Sequence, residues 1–112
     1  MIQNYFNETR FAVTVCDAEG IILYMNDKSM KTFEKYGGKD LIGQNILDYH
    51  PQHAKAMIHE MLLKHKDNSY TIEKNGIKKM IHQTPWFEGG AFMGFIELSI
   101  EIPFDMPNFI RQ

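Results

Sequence analysis

Asn75-Gly76 separates two runs of strand-forming residues, "YTIEK" before it and "IKKMIHQT" after it. Asn-Gly suits the two positive-φ positions of a tight hairpin turn, and between such runs it is the strongest short hairpin signal a sequence can carry. Residues 70–84 are thereby committed to an antiparallel pair. Other strands are available to join it. "FAVTVC" (Phe11 to Cys16) and "IILYMN" (Ile21 to Asn26) are rich in β-branched and aromatic residues, and the turn residues "DAEG" stand between them. Near the end, "AFMGFIELSIEI" alternates, with Ile96, Leu98, Ile100 and Ile102 on one face and Glu97, Ser99 and Glu101 on the other. Pro85 through Gly90 reads as the loop leading into it.

Helices fill the middle. Asp27 can cap "KSMKTFEKY", where Met30 and Phe33 lie at i and i+3, and Gly37-Gly38 closes it. "DLIGQNILDYH", broken by Gly43, predicts two brief helical turns. Pro51 suits the first turn of a longer helix, since its missing N–H has no partner to lose there. In that helix Ala54, Ile58, Met61 and Leu62 share one face. Asp67-Asn68-Ser69 ends it. The predicted order is two strands, several helices, then three strands. An α+β fold results, a five-stranded antiparallel sheet with helices packed on one face.

Composition narrows the function. The chain has 112 residues, one domain's worth, with 44% apolar and 23% charged residues. Twelve basic and fourteen acidic side chains are interspersed, and Lys74 to Lys79 read as a solvated turn, so no nucleic-acid footprint is expected. No apolar run approaches a membrane span, and the start lacks a signal-peptide pattern. A single cysteine, Cys16, fits a reducing compartment, and a cytoplasmic location is expected. Catalytic motifs are missing: no nucleophile elbow, phosphate-cradling loop or H-E-x-x-H occurs. The chain therefore reads as a non-enzyme.

Three histidines, His50, His53 and His59, crowd around Pro51. A metal pair on a helix needs i, i+3 or i, i+4 spacing on one face. His50 and His53 have that spacing, but the helix begins between them, and His53 and His59 are six apart. No metal site is expected. The methionines Met57, Met61, Met80 and Met93 suit either a plain core or an adaptable cavity.

Taken together, the motifs resemble a PAS domain, a small sensor module of bacterial signalling proteins. "VTVCDAEGIILYMND" matches the family's opening strand–turn–strand, which ends in an asparagine entering a helix. "MKTFEKYGGKDLIGQNILDYHP" matches its next helix and the segment after it. "HQTPWFEGGAFMGFIELSIEI" matches its last two strands. "DYHPQHAKAMIHEML" is closer still to PAS modules whose helix starts with a "CHPP"-like pattern. The resemblance covers roughly residues 8–102. It implies a first segment at 1–10, a PAS domain at 11–102 and a tail at 103–112.

The family fold implies a cavity between the sheet and the helices. Its walls are expected from Phe33, Tyr36, Ile46, Tyr49, Ile58, Met61, His82 and Phe95, with the Tyr49 hydroxyl and the His82 imidazole as polar groups. The cofactor remains unnamed: a small organic ligand stands first, heme and flavin behind it. In oxygen-sensing PAS domains the heme histidine comes from the long helix, and its position falls on Ile58, one residue before His59. In light-sensing members a cysteine forms the flavin adduct, and Ile46 stands at its place. "SIEIPFDMPNFIRQ" departs from the family's usual exit, because Pro103 and Pro107 block a continuing helix. The chain is thus expected to be a free-standing module or a fragment, which signals through a homodimer or a separate effector protein. The alternative is a ligand-free dimerisation or docking domain, with a heme-based gas or redox sensor as the outside alternative.

Overall fold

The Asn75-Gly76 turn joins two strands in the computed structural model. The model describes residues 2–50 and 52–112, and the side chains of all of these except residues 2, 3, 49 and 53. Pro51 and the side chains of Tyr49 and His53 therefore lie outside the description. The strands are β1 (Ala12–Asp17), β2 (Ile22–Met25), β3 (Asn68–Lys74), β4 (Ile77–Glu88) and β5 (Ala91–Ile102). They form one antiparallel sheet in the order β2-β1-β5-β4-β3. Two helices, α1 (Asp27–Thr32) and α2 (Gln52–Lys64), lie on one side of it, with 3-10 turns at Glu34–Tyr36, Gly38–Leu41 and Ile46–Tyr49 between them. The five strands, the α+β class and the two brief turns agree with the sequence reading.

Three local expectations are corrected. Pro85 through Gly90 is not a loop: β4 continues to Glu88 and only Gly89 and Gly90 turn. Proline is tolerated there because β3 pairs with β4 no further than Asn68 opposite Gln83, so Pro85 sits where that flank of β4 needs no donor. The cap of α1 is Asn26, not Asp27. Its side chain accepts from the Ser29 N–H at 3.0 Å, the geometry an N-cap needs. The long helix stops at Lys64, with His65 at φ 54°, and Asn68 already belongs to β3.

Asn26 does more than cap. It is 1% exposed and also accepts from the Val13 N–H at 2.9 Å, while its amide donates to the carbonyls of Phe6 and Phe11. One side chain thus ties β1, α1 and the segment before β1. Ile22, Met25 and Leu41 form the core beside it, with Met30, Phe33 and Ile46 packed against them. Gly94 in β5 has φ 145°, and a Cβ there would fall 2.0 Å from the Cys16 carbonyl oxygen. Only glycine allows β5 to lie against β1 at that point.

Candidate functional site

Register decides which side chains meet on the helix side of the sheet. Thr14 of β1 stands opposite Glu97 of β5, Glu97 opposite Gln83 of β4, and Gln83 opposite Asn68 of β3. Directly opposed residues share a face, so these four polar side chains cross the sheet as one rung. Three of them are joined in a chain. Asn68 Nδ2 donates to Gln83 Oε1 at 3.0 Å, and Gln83 Nε2 donates to Glu97 Oε2 at 2.7 Å. At the other end the Thr14 and Ser29 hydroxyls are 2.5 Å apart, linking the rung to α1.

Above the rung is a cavity of about 750 Å³. The inward face of α2 supplies Ala54, Met57, Ile58, Met61 and Leu62. The helical segments before it add Phe33, Tyr36, Leu41 and Ile46, and His50. The sheet contributes the rung, together with Cys16, Ile22, Met25, Tyr70 and Phe95. The volume lies within the range of small-molecule sites, and so does the mixture of apolar walls with a few grouped polar atoms. α2 therefore lines one side of the cavity and the sheet the other.

Electrostatics are concentrated on Glu97. Burial pushes its carboxyl above the usual range, and the Gln83 hydrogen bond and the charge of His50 offset this in part. Burial likewise raises the Tyr70 hydroxyl, helped by the charge of Glu97 and opposed by a hydrogen bond with Gln83. The Cys16 thiol is raised mainly by burial too, which keeps it protonated and a poor nucleophile. Among the described residues, neither lysine nor arginine lines the cavity.

Of the residues expected at the site, Phe33, Tyr36, Ile46, Ile58, Met61 and Phe95 are brought together around the cavity. His82 is not. It pairs with Ser69 and Leu98, on the opposite face from Gln83, and its Nδ1 lies 2.6 Å from the Ser69 hydroxyl. The physical reason is a bulge opposite Trp86 and Phe87, where β5 carries the extra residue Met93 between Phe92 and Gly94. Counting back from the Gly89-Gly90 turn without it places His82 opposite Glu97. The extra residue moves every later pair by one and exchanges the two faces. The Tyr49 side chain lies outside the description. Sequence reasoning missed Thr14, Asn68, Gln83 and Glu97. The Asn75-Gly76 turn alone could have paired Asn68 with Gln83, but nothing in the sequence marks the bulge that brings in Glu97.

The histidines have separate surroundings. His50 lines the cavity, with its Nδ1 2.5 Å from the Ile46 carbonyl oxygen. His59 is exposed. His65 stacks on Phe92, ring centroids 3.6 Å apart.

Comparison with known proteins agrees with this geometry. Residues 6–71 match a family model described as the PAS fold. The PAS domain of Bordetella pertussis BvgS superposes with a TM-score of 0.66 at 23% identity, covering 93% of this chain and 85% of that one. A C-terminal domain from Streptococcus mutans gives 0.70 at 16% identity, over 89% and 81%. The Vibrio cholerae Aer2 receptor, described as a dual PAS-heme oxygen sensor, gives 0.61 at 17% identity, over 83% and 95%. No curated protein matches the sequence.

Proposed function

Because this chain belongs to the PAS family, we propose that it is a sensory module that binds a small organic ligand in the cavity between α2 and the sheet. It passes occupancy to a second copy of itself or to a separate effector protein. The observation that carries this reading is the cavity itself: about 750 Å³, walled by apolar side chains and floored by one rung of hydrogen-bonded polar groups. A ligand gives the inward face of α2 the apolar partner that the sheet does not supply. Burying that surface stabilises the closed arrangement, and ligand binding shifts the population toward it. PAS modules are sensory and typically not catalytic, and no chemistry is assigned to the cavity. A cytoplasmic setting fits the single cysteine, and among the described residues no helix is long and apolar enough to cross a membrane.

Heme, which the Aer2 receptor is described as binding, finds no histidine among the described cavity-facing side chains of α2, and His50, before that helix, has its Nδ1 against the Ile46 carbonyl. Among the described side chains of α2, those facing the cavity are Ala54, Met57, Ile58, Met61 and Leu62, none of them a histidine. His59 faces outward, and no lysine or arginine lines the cavity to meet two propionates. A flavin adduct lacks its thiol at Ile46.

A thermal-shift screen of small amines, acids, purines and flavins tests the proposal, run on wild type and on Ile58→Trp. A compound that raises the wild-type Tm and leaves the variant unmoved supports a ligand cavity. No shift with any compound, together with a variant destabilised by the roughly 1–3 kcal/mol that overpacking a filled core costs, leaves the docking-domain reading. That second reading is favoured by one observation: Phe104, Met106, Phe109 and Ile110 of the tail are 52–86% exposed, and Tyr5 and Phe6 at the other end are 80% and 36% exposed.

A further inference from the structure

The direction of the hydrogen bonds on the cavity floor specifies the kind of ligand. Asn68 donates to Gln83 and Gln83 donates to Glu97. The chain therefore ends on a group that only accepts when ionised. A carboxylate offers about four acceptor sites, and Gln83 fills one of them. Glu97 is also the sole acidic side chain among the described lining residues, and no lysine or arginine answers it across the cavity.

We propose that the cavity takes a small organic cation, an amine on an apolar body, with its ammonium on the Glu97 carboxylate. This rests on the ligand-cavity reading above and adds the ligand's chemical class. The ammonium supplies donors to a half-buried acceptor, and ion-paired hydrogen bonds of this kind are among the stronger ones. The body meets Ile22, Met25, Leu41, Ile58 and Met61, and the rings of Tyr36 and Tyr70 line the same space. Carboxylates and phosphates find the reverse: a negative floor and, among the described lining residues, no lysine or arginine.

The other titratable groups facing Glu97 come from three elements. His50 stands before α2, Tyr70 on β3 and Cys16 on β1, and α2 itself presents only apolar side chains among its described lining residues. Of these, His50 acts on Glu97 with a charge that lowers its carboxyl. It is exposed, so it can stay in water while a ligand amine occupies the floor. Burial displaces the Glu97 carboxyl upward, toward the neutral form, and a bound ammonium would lower it again.

The test uses three probes of matched shape in titration calorimetry near neutral pH: 2-phenylethylamine, 2-phenylethanol and 3-phenylpropanoate. The amine should bind about tenfold or more tightly than the alcohol, the difference one good ionic hydrogen bond supplies, and the acid should not bind. Glu97→Gln, nearly isosteric, should lose at least that factor for the amine while the alcohol is held as before. The wild-type series needs no variant, so the proposal stays testable if Glu97→Gln fails to fold. Equal binding of amine and alcohol, preference for the acid, or an unchanged amine affinity in Glu97→Gln overturns the cation assignment and leaves the ligand cavity intact. If none of the three binds and the broader screen on Ile58→Trp is also silent, the cavity reading itself fails.

Discussion

Replacing Asn26 with alanine should be among the most damaging single changes in this protein, and its cost can be worked from the hydrogen bonds it breaks. The side chain is 1% exposed. Its oxygen accepts from the N–H groups of Val13 and Ser29, residues that are 4% and 0% exposed. Water reaches neither, so each is left unsatisfied. The Ser29 loss is that of a helix cap, about 1 kcal/mol. The Val13 loss is that of a buried backbone donor, about 1–3 kcal/mol. The amide's own acceptors cost less. The Phe11 carbonyl keeps the Thr9 hydroxyl as a partner, and the Phe6 carbonyl keeps the Thr9 N–H at 3.4 Å. The total is about 3 kcal/mol, a large share of the roughly 5–15 kcal/mol that holds a domain together. It corresponds to a fall in Tm of roughly 10–20 °C for a chain of this size. Urea unfolding followed by circular dichroism should show a lower midpoint with an unchanged slope. Thr32→Ala serves as the control, because the Thr32 hydroxyl bonds the Lys28 carbonyl on an exposed helix surface. A loss below about 1 kcal/mol for Asn26→Ala would refute the reasoning, since it means the buried N–H groups find other partners.

Gly94→Ala should prevent correct β1–β5 pairing or lower Tm severely, because its Cβ lands 2.0 Å from the Cys16 carbonyl oxygen; a near wild-type melt contradicts this. Glu97 should make the ligand-free protein sensitive to pH. Burial raises its folded-state pKa above the unfolded value, so the folded protein holds that proton more readily. The favourable contribution is present below the ordinary carboxylate range and is lost as pH rises through the folded-state value. Urea midpoints of Glu97→Gln minus wild type should therefore grow more positive from mildly acidic to mildly basic pH, and a flat difference counts against it. If output runs through self-association, sedimentation at micromolar concentration should show a dimer, and a species of only 13.1 kDa at the highest concentrations points instead to a separate effector.

How much of this was legible in the sequence depended on whether the signal was local. The Asn75-Gly76 turn fixes its own register, and α2's apolar face follows from helical spacing, so once the resemblance supplied a cavity, Ile58 and Met61 fell on its wall. The floor was not legible, for two reasons. The bulge at Trp86/Phe87 exchanges the faces of β4 relative to β5 and removes His82 from the site. The apolar alternation of β5 then points the wrong way. Ile96 and Leu98 look like the buried side, yet Phe95 and Glu97 face the cavity. A half-buried acid lining a cavity has the same sequence pattern as a solvent-facing one, and only cross-strand pairing separates them. Proline at 85 and glycines at 89 and 90 suggested a loop, because a missing N–H usually ends a strand; here it falls on a flank with no neighbour to serve.

The claim beneath all of these is that a real cavity separates α2 from the sheet, and xenon tests it without any assumption about the ligand. Xenon enters apolar voids. Methyl-labelled protein under increasing xenon pressure should show saturable shifts at Ile46, Ile58, Met61 and Leu41, which line the cavity. Leu23, which is 49% exposed and outside it, should not follow. Ile58→Trp should abolish the effect. Shifts that are linear with pressure and spread evenly over buried and exposed methyls would contradict the account, because they mean that the space between α2 and the sheet is already filled.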